Sequence, residues 1–204
     1  MKFAALANDN DFKILSELTD NAEWVKTTSI TELLSVKDVT AIFNMNEDSC
    51  LEDYTSTTIP VFINSVCYTL KERNHSSNVV RINGWTGFLN RPIWEIAGPI
   101  NNNHISIVEQ LKKKYTLLAD EPGFISARII AMIINEGFFA KGEKVSTEDE
   151  IDIAMKLGTN YPKGPFEWMR EIGLKNVYNL LCILSKADKK YTPAPLLQTE
   201  ANPS

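Results

Sequence analysis

Residues 121–168 constrain the fold more than any other part of the chain. They read EPGFISARIIAMIINEGFFAKGEKVSTEDEIDIAMKLGTNYPKGPFEW. The pair Pro122-Gly123 breaks any element that precedes it. From Phe124 to Ala140 apolar residues then fall all round a helical wheel, not on one stripe. A helix that is apolar on every side has to be buried on most of them. The run is interrupted by Arg128, Asn135 and Glu136 and is too short for a bilayer. The pattern predicts a central helix over 124–140, covered by its own domain and by a second subunit.

Helix punctuation follows. Thr147-Glu148-Asp149-Glu150 has the spacing of a capping box, with the Thr hydroxyl accepting a backbone N–H and Glu150 reaching back. Ile151, Ala154, Met155 and Leu157 give the next helix an apolar face, and Gly158 stands where a left-handed cap belongs. Pro165 suits a first helical position after Gly164, because its missing N–H would be unpaired there anyway. Phe166, Trp168 and Met169 begin that helix and Gly173 ends it.

These residues carry a resemblance. EPGFISAR and STEDEIDIAMKLGTNYPKGPFEW resemble the C-terminal domain of the 3-hydroxyacyl-CoA dehydrogenase family, whose pattern is a "PGF…R" helix start, an "ED-ID-AMK-G--YP-GPFE" run and a following "GL" helix. The resemblance implies a dinucleotide-binding α/β domain followed by an all-helical domain that pairs two subunits. The implied fold class is α/β: a small Rossmann-like, mainly parallel sheet, then an all-α domain like the C-terminal domain of 6-phosphogluconate dehydrogenase. The corresponding division is a shortened Rossmann-like domain over 1–120, a helical domain over 121–190, and a polar, Pro-rich tail over 191–204 with disordered last residues.

The first part agrees in its own terms. KFAALA (2–7), AEWVKT (22–27), VTAIFNM (39–45), IPVFINSV (59–66), VVRING (79–84) and PIWEIA (92–97) are apolar runs of strand length. Between them, Phe12, Leu15 and Leu18 share a helical face, and Ser29 can cap a helix bearing Leu33 and Leu34. Strands alternating with helices mean βα units and a mainly parallel, doubly wound sheet. Residues 106–115 read as one more helix, and Leu174–Leu184 as the last, with Val177, Leu180, Leu181 and Leu184 inward. Asn101–Asn103 reads as a loop. Lys112–Lys114 reads as a solvated helix face, with a CoA phosphate as the alternative contact.

Bulk properties exclude some classes. A share of 44% hydrophobic and 23% charged residues is ordinary for a globular chain, and 204 residues allow one large domain or two small ones. A net charge of −5 argues against nucleic acid or an anionic membrane as a partner. Cys50, Cys67 and Cys182 are odd in number and widely spaced, so neither a disulfide framework nor a metal site is suggested. His75 and His104 lie in polar stretches. With no signal peptide or transmembrane run, a reducing cytoplasm is the expected compartment.

The chemistry expected from the resemblance is incomplete. NAD needs a glycine turn after the first strand, so that backbone can approach the pyrophosphate at the next helix N-terminus. This chain has Leu6-Ala7-Asn8-Asp9-Asn10-Asp11 there, and no glycine before Gly84. The resemblance also implies a histidine base held by a glutamate. In VRINGWTGFLNRPIWEIAG, Phe88-Leu89-Asn90 and Trp94-Glu95-Ile96 resemble the surrounding runs, and the histidine falls on Gly87 or on Asn83. Neither accepts a proton at neutral pH.

Glu95 is therefore the catalytic candidate, with Ser65, Asn64 and Asn90 as candidate substrate contacts. The plainer readings are a turn role for Ser65 and a pairing of Glu95 with Arg81, Arg91 or backbone. Trp85, Phe88 and Trp94 read as core before substrate wall. The family's asparagine in "GFIVNR" is Ala127 here. Two functions stand: an NAD-dependent 3-hydroxyacyl-CoA dehydrogenase-type oxidoreductase of fatty-acid metabolism with a degenerate site, or a non-catalytic homodimer that binds an acyl-CoA or serves assembly.

Overall fold

The computed structural model describes residues 1–47, 53–73 and 75–202. Cys50 lies outside them. The chain divides into two compact units, 1–121 and 122–204.

The first unit contains β1 (Lys2–Leu6), α1 (Asp9–Ser16), β2 (Glu23–Thr27), α2 (Ile30–Ser35), β3 (Ala41–Asn44), β4 (Val61–Asn64), α3 (Leu70–Arg73), β5 (Val79–Ile82), β6 (Ile93–Ala97), α4 (Asn102–Gln110) and β7 (Lys114–Leu118). Among the described residues the strands form one sheet in the order β2-β1-β3-β4-β5-β6-β7. Every neighbouring pair is parallel except β5 and β6. The link between those two holds no crossover helix, so β6 runs back alongside β5. This is a small Rossmann-like sheet. Its order reverses at β1, so the crevice beyond the ends of β1 and β3 is its switch point.

The central strands read as unbroken apolar runs because both faces are covered. Phe3, Phe43, Phe62, Val80, Ile82, Trp94 and Ile96 pack on one face with Leu15 of α1 and Ile107 and Val108 of α4. Phe43 and Phe62 stack at 4.9 Å between ring centroids. On the other face Ala4, Leu6, Ile42, Val61, Ile63 and Val79 meet Leu33 of α2, Tyr54 and Leu70.

Arg81 is fully buried on β5. Its guanidinium donates to the Tyr68 carbonyl (2.7 Å) and the Glu121 carbonyl (2.8 Å) and pairs with Asp120 at 3.2 Å. Burial lowers its pKa and the Asp120 carboxylate opposes that. A guanidinium still keeps its charge under those conditions.

The second unit contains α5 (Ile125–Gly142), α6 (Glu148–Thr159), α7 (Pro165–Ile172), α8 (Leu174–Ser185) and α9 (Pro195–Ala201). Asn135, buried in the middle of α5, donates to the Thr192 carbonyl (3.0 Å) and accepts the Ala194 N–H (2.8 Å). That clamp seats the chain that leads into α9. A helix with Leu197 fully buried therefore occupies 195–201, where the sequence suggests a tail.

Asp152 of α6 explains the glycine-proline start of α7. Its carboxylate accepts the N–H groups of Phe166 (2.8 Å) and Glu167 (3.1 Å), two of the orphan donors at a helix N-terminus. Glu167 closes a reciprocal cap on the Gly164 N–H at 2.9 Å. A Cβ at Gly164 would lie 2.3–2.5 Å from Asp152 atoms, backbone included. The Thr147–Glu150 capping box forms as its spacing indicates.

Several local expectations are corrected. Gly158 is inside α6, and Asn160 is the left-handed cap (φ 55°). The α6 face of Ile151, Ala154, Met155 and Leu157 is not buried: Leu157 is 83% exposed, and Asp152 is the residue of α6 that goes inside. Asn101–Asn103 is not a loop, since Asn101 caps α4. Residues 114–118 are a strand, because the turn at Lys112 (φ 56°) ends the helical path. Lys113 is buried rather than solvated, donating to the carbonyls of Leu89 (3.0 Å) and Arg91 (2.9 Å).

Candidate functional site

The polar side chains of the first unit converge at the carboxyl ends of β3, β4 and β5 and on β6. Antiparallel pairing sets Ile82 against Ile96, which brings the next residue, Asn83, opposite Glu95. The Asn83 Nδ2 donates to Glu95 Oε2 at 3.1 Å, and the Asn83 N–H points to the Glu95 carbonyl at 3.4 Å. Asn83, not Gly87, therefore stands beside the glutamate. Glu95 is half-buried, and its charge also acts on Arg91, whose guanidinium lies 4.0 Å from the centre of the Phe88 ring. Arg81 is occupied by Asp120 instead.

Asn64 at the end of β4 uses both ends of its amide. Nδ2 donates to the Met45 carbonyl (3.2 Å) and Oδ1 accepts the Gly84 N–H (3.0 Å). A Cβ at Gly84 would meet the Asn64 side chain at 2.7–2.9 Å, so the glycine is required by this staple. Ser65 donates to the Tyr68 carbonyl at 2.9 Å, which is the turn geometry of a strand end. Asn90 is exposed in the turn that leads to β6. Trp85, Phe88 and Trp94 are buried.

Glu47 completes the group, and nothing in its sequence surroundings marks it. Its Oε1 accepts the N–H groups of Val66 (3.0 Å) and Cys67 (3.2 Å), and Oε2 accepts the Trp85 indole N–H (3.2 Å). Burial pushes its carboxyl pKa up, and those three donors hold it back. Glu47 stands in the polar stretch Asn44-Met45-Asn46-Glu47-Asp48 at and after the end of β3, where an acid reads as a solvated loop residue.

His104 stands in a polar stretch of sequence but not in a loop. It is fully buried in α4, edge-on to Phe62 at 5.4 Å, with Nε2 2.9 Å from the Asn78 carbonyl and Nδ1 accepting the Asn101 N–H at 3.4 Å. That arrangement fits a neutral ring with the proton on Nε2, and burial lowers its pKa. It sits at the start of β5, whereas Asn83 follows the end of that strand.

The turn from β1 to α1 is filled by its own side chains. Asn8 caps α1: its Oδ1 accepts the Asp11 N–H (2.9 Å) and its Nδ2 donates to the Asp11 carboxylate (2.8 Å). Asp9 pairs with Lys26 at the end of β2. Asp11 is buried, and burial raises its carboxyl pKa against the hydrogen bonds from Asn8 and Asn10. Two acids thus occupy the first turn of the helix, and no residue between Leu6 and Phe12 lacks a Cβ. Among the described residues no cluster of His, Cys, Asp or Glu could hold a metal, and no helix is long and apolar enough to cross a membrane.

Comparison with known proteins bears on both units. Residues 123–202 match the family model described as 3-hydroxyacyl-CoA dehydrogenase, C-terminal domain. A 3-hydroxyadipyl-CoA dehydrogenase of Escherichia coli is 38% identical over 99 residues, 48% of this chain and 21% of its own length. A 3-hydroxybutyryl-CoA dehydrogenase of Clostridioides difficile is 28% identical over 203 residues, 91% of this chain and 70% of its own length. The structure of an (S)-3-hydroxybutyryl-CoA dehydrogenase from Ralstonia eutropha has a TM-score of 0.63 at 22% identity, over 86% of this chain and 68% of that one, which shows a shared fold. The chain spans between 21% and 33% of the length of three curated dehydrogenases that it matches.

Proposed function

Since the chain belongs, through residues 123–202, to the 3-hydroxyacyl-CoA dehydrogenase family, we propose that it is a member that holds an acyl-CoA-type ligand without dinucleotide-dependent hydride transfer. The observation that carries this reading is the Asn83–Glu95 pair at 3.1 Å. Oxidation of a hydroxyl needs a group that takes its proton, and a carboxamide does not titrate. The β1–α1 turn does not fit a pyrophosphate. Its first-turn N–H of Asp11 is already capped, and Asp9 and Asp11 put negative charge where phosphate would need the positive helix end.

Within this reading Glu95 and Asn90 are the side chains offered to ligand, and Asn64 and Ser65 hold the frame around them. The partner is a second copy, paired through the helical unit. Ile125 and Ile129 on α5 and Ile153 and Leu157 on α6 are each more than half exposed, leaving apolar stripes that a monomer would give to water. The setting is fatty acyl-CoA metabolism in a reducing cytoplasm.

The test is a titration of the purified protein with NADH, followed by nucleotide fluorescence, with and without acetoacetyl-CoA. The expected result is no saturation up to millimolar NADH, together with acetoacetyl-CoA binding seen by calorimetry. A second reading, a dehydrogenase-type oxidoreductase using NAD, is favoured by the presence of Glu95 in Trp94-Glu95-Ile96, which resembles the run that carries the family's glutamate. NADH oxidation with acetoacetyl-CoA that disappears in Glu95→Ala would establish it and end the first.

A further inference from the structure

Asn83-Gly84 is the one Asn-Gly step in the chain. That dipeptide is the most reactive setting for an asparagine amide. The next backbone nitrogen lies one five-membered ring away from the amide carbon, and a glycine puts no side chain in the way of its attack.

In the folded chain each reacting group is engaged. The nucleophile is the Gly84 nitrogen, whose N–H donates to Asn64 Oδ1 at 3.0 Å. Asn64 is itself fixed, since its Nδ2 donates to the Met45 carbonyl at 3.2 Å. The leaving group is the Asn83 Nδ2, which donates to Glu95 Oε2 at 3.1 Å. Asn83 Oδ1 accepts the Trp85 N–H at 3.4 Å. Asn83 is 5% exposed, so the water needed to finish the reaction is also kept away. The glycine cannot be exchanged for a safer residue, because a Cβ there would meet the Asn64 side chain at 2.7–2.9 Å. The contact that demands the reactive glycine is thus the contact that restrains it.

We propose that Asn83 is a modification site held shut by the fold: opening of the Asn64–Gly84 contact lets Asn83 deamidate, which puts a carboxylate beside Glu95. In the reaction the Gly84 nitrogen bonds to Asn83 Cγ and gives up its proton, and the side-chain nitrogen takes up a proton and leaves as ammonia. Water then opens the succinimide at one of its two carbonyls. The product is aspartate, or isoaspartate with one more methylene in the backbone path. No oxidant, metal or reactant other than water is consumed.

The consequence falls on the candidate site. The amide that donates to Glu95 becomes an acid, and the two carboxylates share a proton. A position with no titrating group acquires one. The isoaspartate form also lengthens the backbone between β5 and β6, against a register that fixes Asn83 opposite Glu95. The inference uses the geometry of Asn64, Asn83, Gly84 and Glu95 and no ligand, so it stands apart from the acyl-CoA reading.

Incubation of the full chain in mildly alkaline buffer, followed by peptide mass spectrometry, tests it. Deamidation at Asn83 is expected to be slow in folded wild type. Unfolding in guanidinium is expected to speed it by about tenfold or more, the factor that one lost restraining hydrogen bond would give. Folded Asn64→Ala should show a similar gain without denaturant. Asn83→Gln, which would have to close a larger ring, should remove the mass gain from this peptide. If Asn64→Ala does not fold, the comparison of folded with unfolded wild type decides alone. Equal rates at Asn83 in folded and unfolded wild type, or a folded Asn64→Ala no faster than wild type, overturn the proposal.

Discussion

Asn83 and Glu95 face each other across the antiparallel pair of β5 and β6, with the carboxamide nitrogen 3.1 Å from a carboxylate oxygen. The amide gives the glutamate a donor but no proton to exchange. Replacing it with a second acid should expose the cost of the site's geometry. Asn83→Asp sets two carboxylates together and should destabilise the fold by about 1–3 kcal/mol at about pH 7. The folded-state pKa of such a pair is raised, so stability should return as pH falls and the pair takes up one proton. Urea denaturation across that pH range measures it, and a pH-independent loss would contradict the assignment.

Asp152 and Gly164 make a second testable pair. Asp152→Ala leaves the Phe166 and Glu167 N–H groups of α7 without their acceptor, at a cost of about 1–2 kcal/mol. Gly164→Ala forces a Cβ to within 2.5 Å of Asp152 and should cost at least as much. The double variant should not recover, because the Asp152 Cα itself is 2.4 Å from that Cβ. Thermal melts of the three variants decide this.

His104 should make the protein acid-sensitive. Its folded-state pKa is lowered by burial, so the unfolded chain binds the proton more readily. The neutral ring's stability is fully present above the unfolded pKa of about 6.5 and is lost as pH falls toward the folded value. Protonation would also turn an N–H on Nδ1 against the Asn101 N–H. In His104→Gln the loss of stability on acidification should be smaller than in wild type. The ring protons followed by NMR should titrate below the usual histidine range.

Glu47 has the opposite sign. Its folded-state pKa is raised by burial, so its contribution is greatest below the unfolded carboxylate pKa and declines as pH rises through the folded one. Glu47→Gln removes that titration. The variant should lose less stability than wild type between about pH 4 and pH 8, while its tryptophan emission shifts because the Trp85 indole loses a carboxylate acceptor. Equal slopes for the two proteins would refute the burial assignment.

Much of this was legible in residue order. The strands β1, β3, β4 and β5 are apolar runs because helices or loops cover both faces, and that burial writes itself into the sequence. The capping box at Thr147 and the proline start of α7 are local chemistry, and they formed as spaced. The residues of the family pattern include Asp152, Gly164, Pro165 and Glu167, whose work is capping and close packing of helices. They therefore identify the fold more firmly than the reaction.

Other features had no local signature. β7 is exposed on both faces, so it carries no alternation, and its lysines resemble a solvated helix. His104 looked solvated until α4 carried it against Phe62. Glu47 meets Val66 and Trp85 from distant points in the chain.

The sequence alone determined the alternation of β1 to β6 with α1 and α2, the long apolar helix α5 and the lack of a glycine turn after β1, since each is a matter of local pattern or composition. Tertiary structure alone decided that Asn83 rather than Gly87 meets Glu95, that Asp9 and Asp11 fill the head of α1, and that β7 is an open edge. Those outcomes depend on strand register and on side chains from separate elements meeting in space, which residue order does not record.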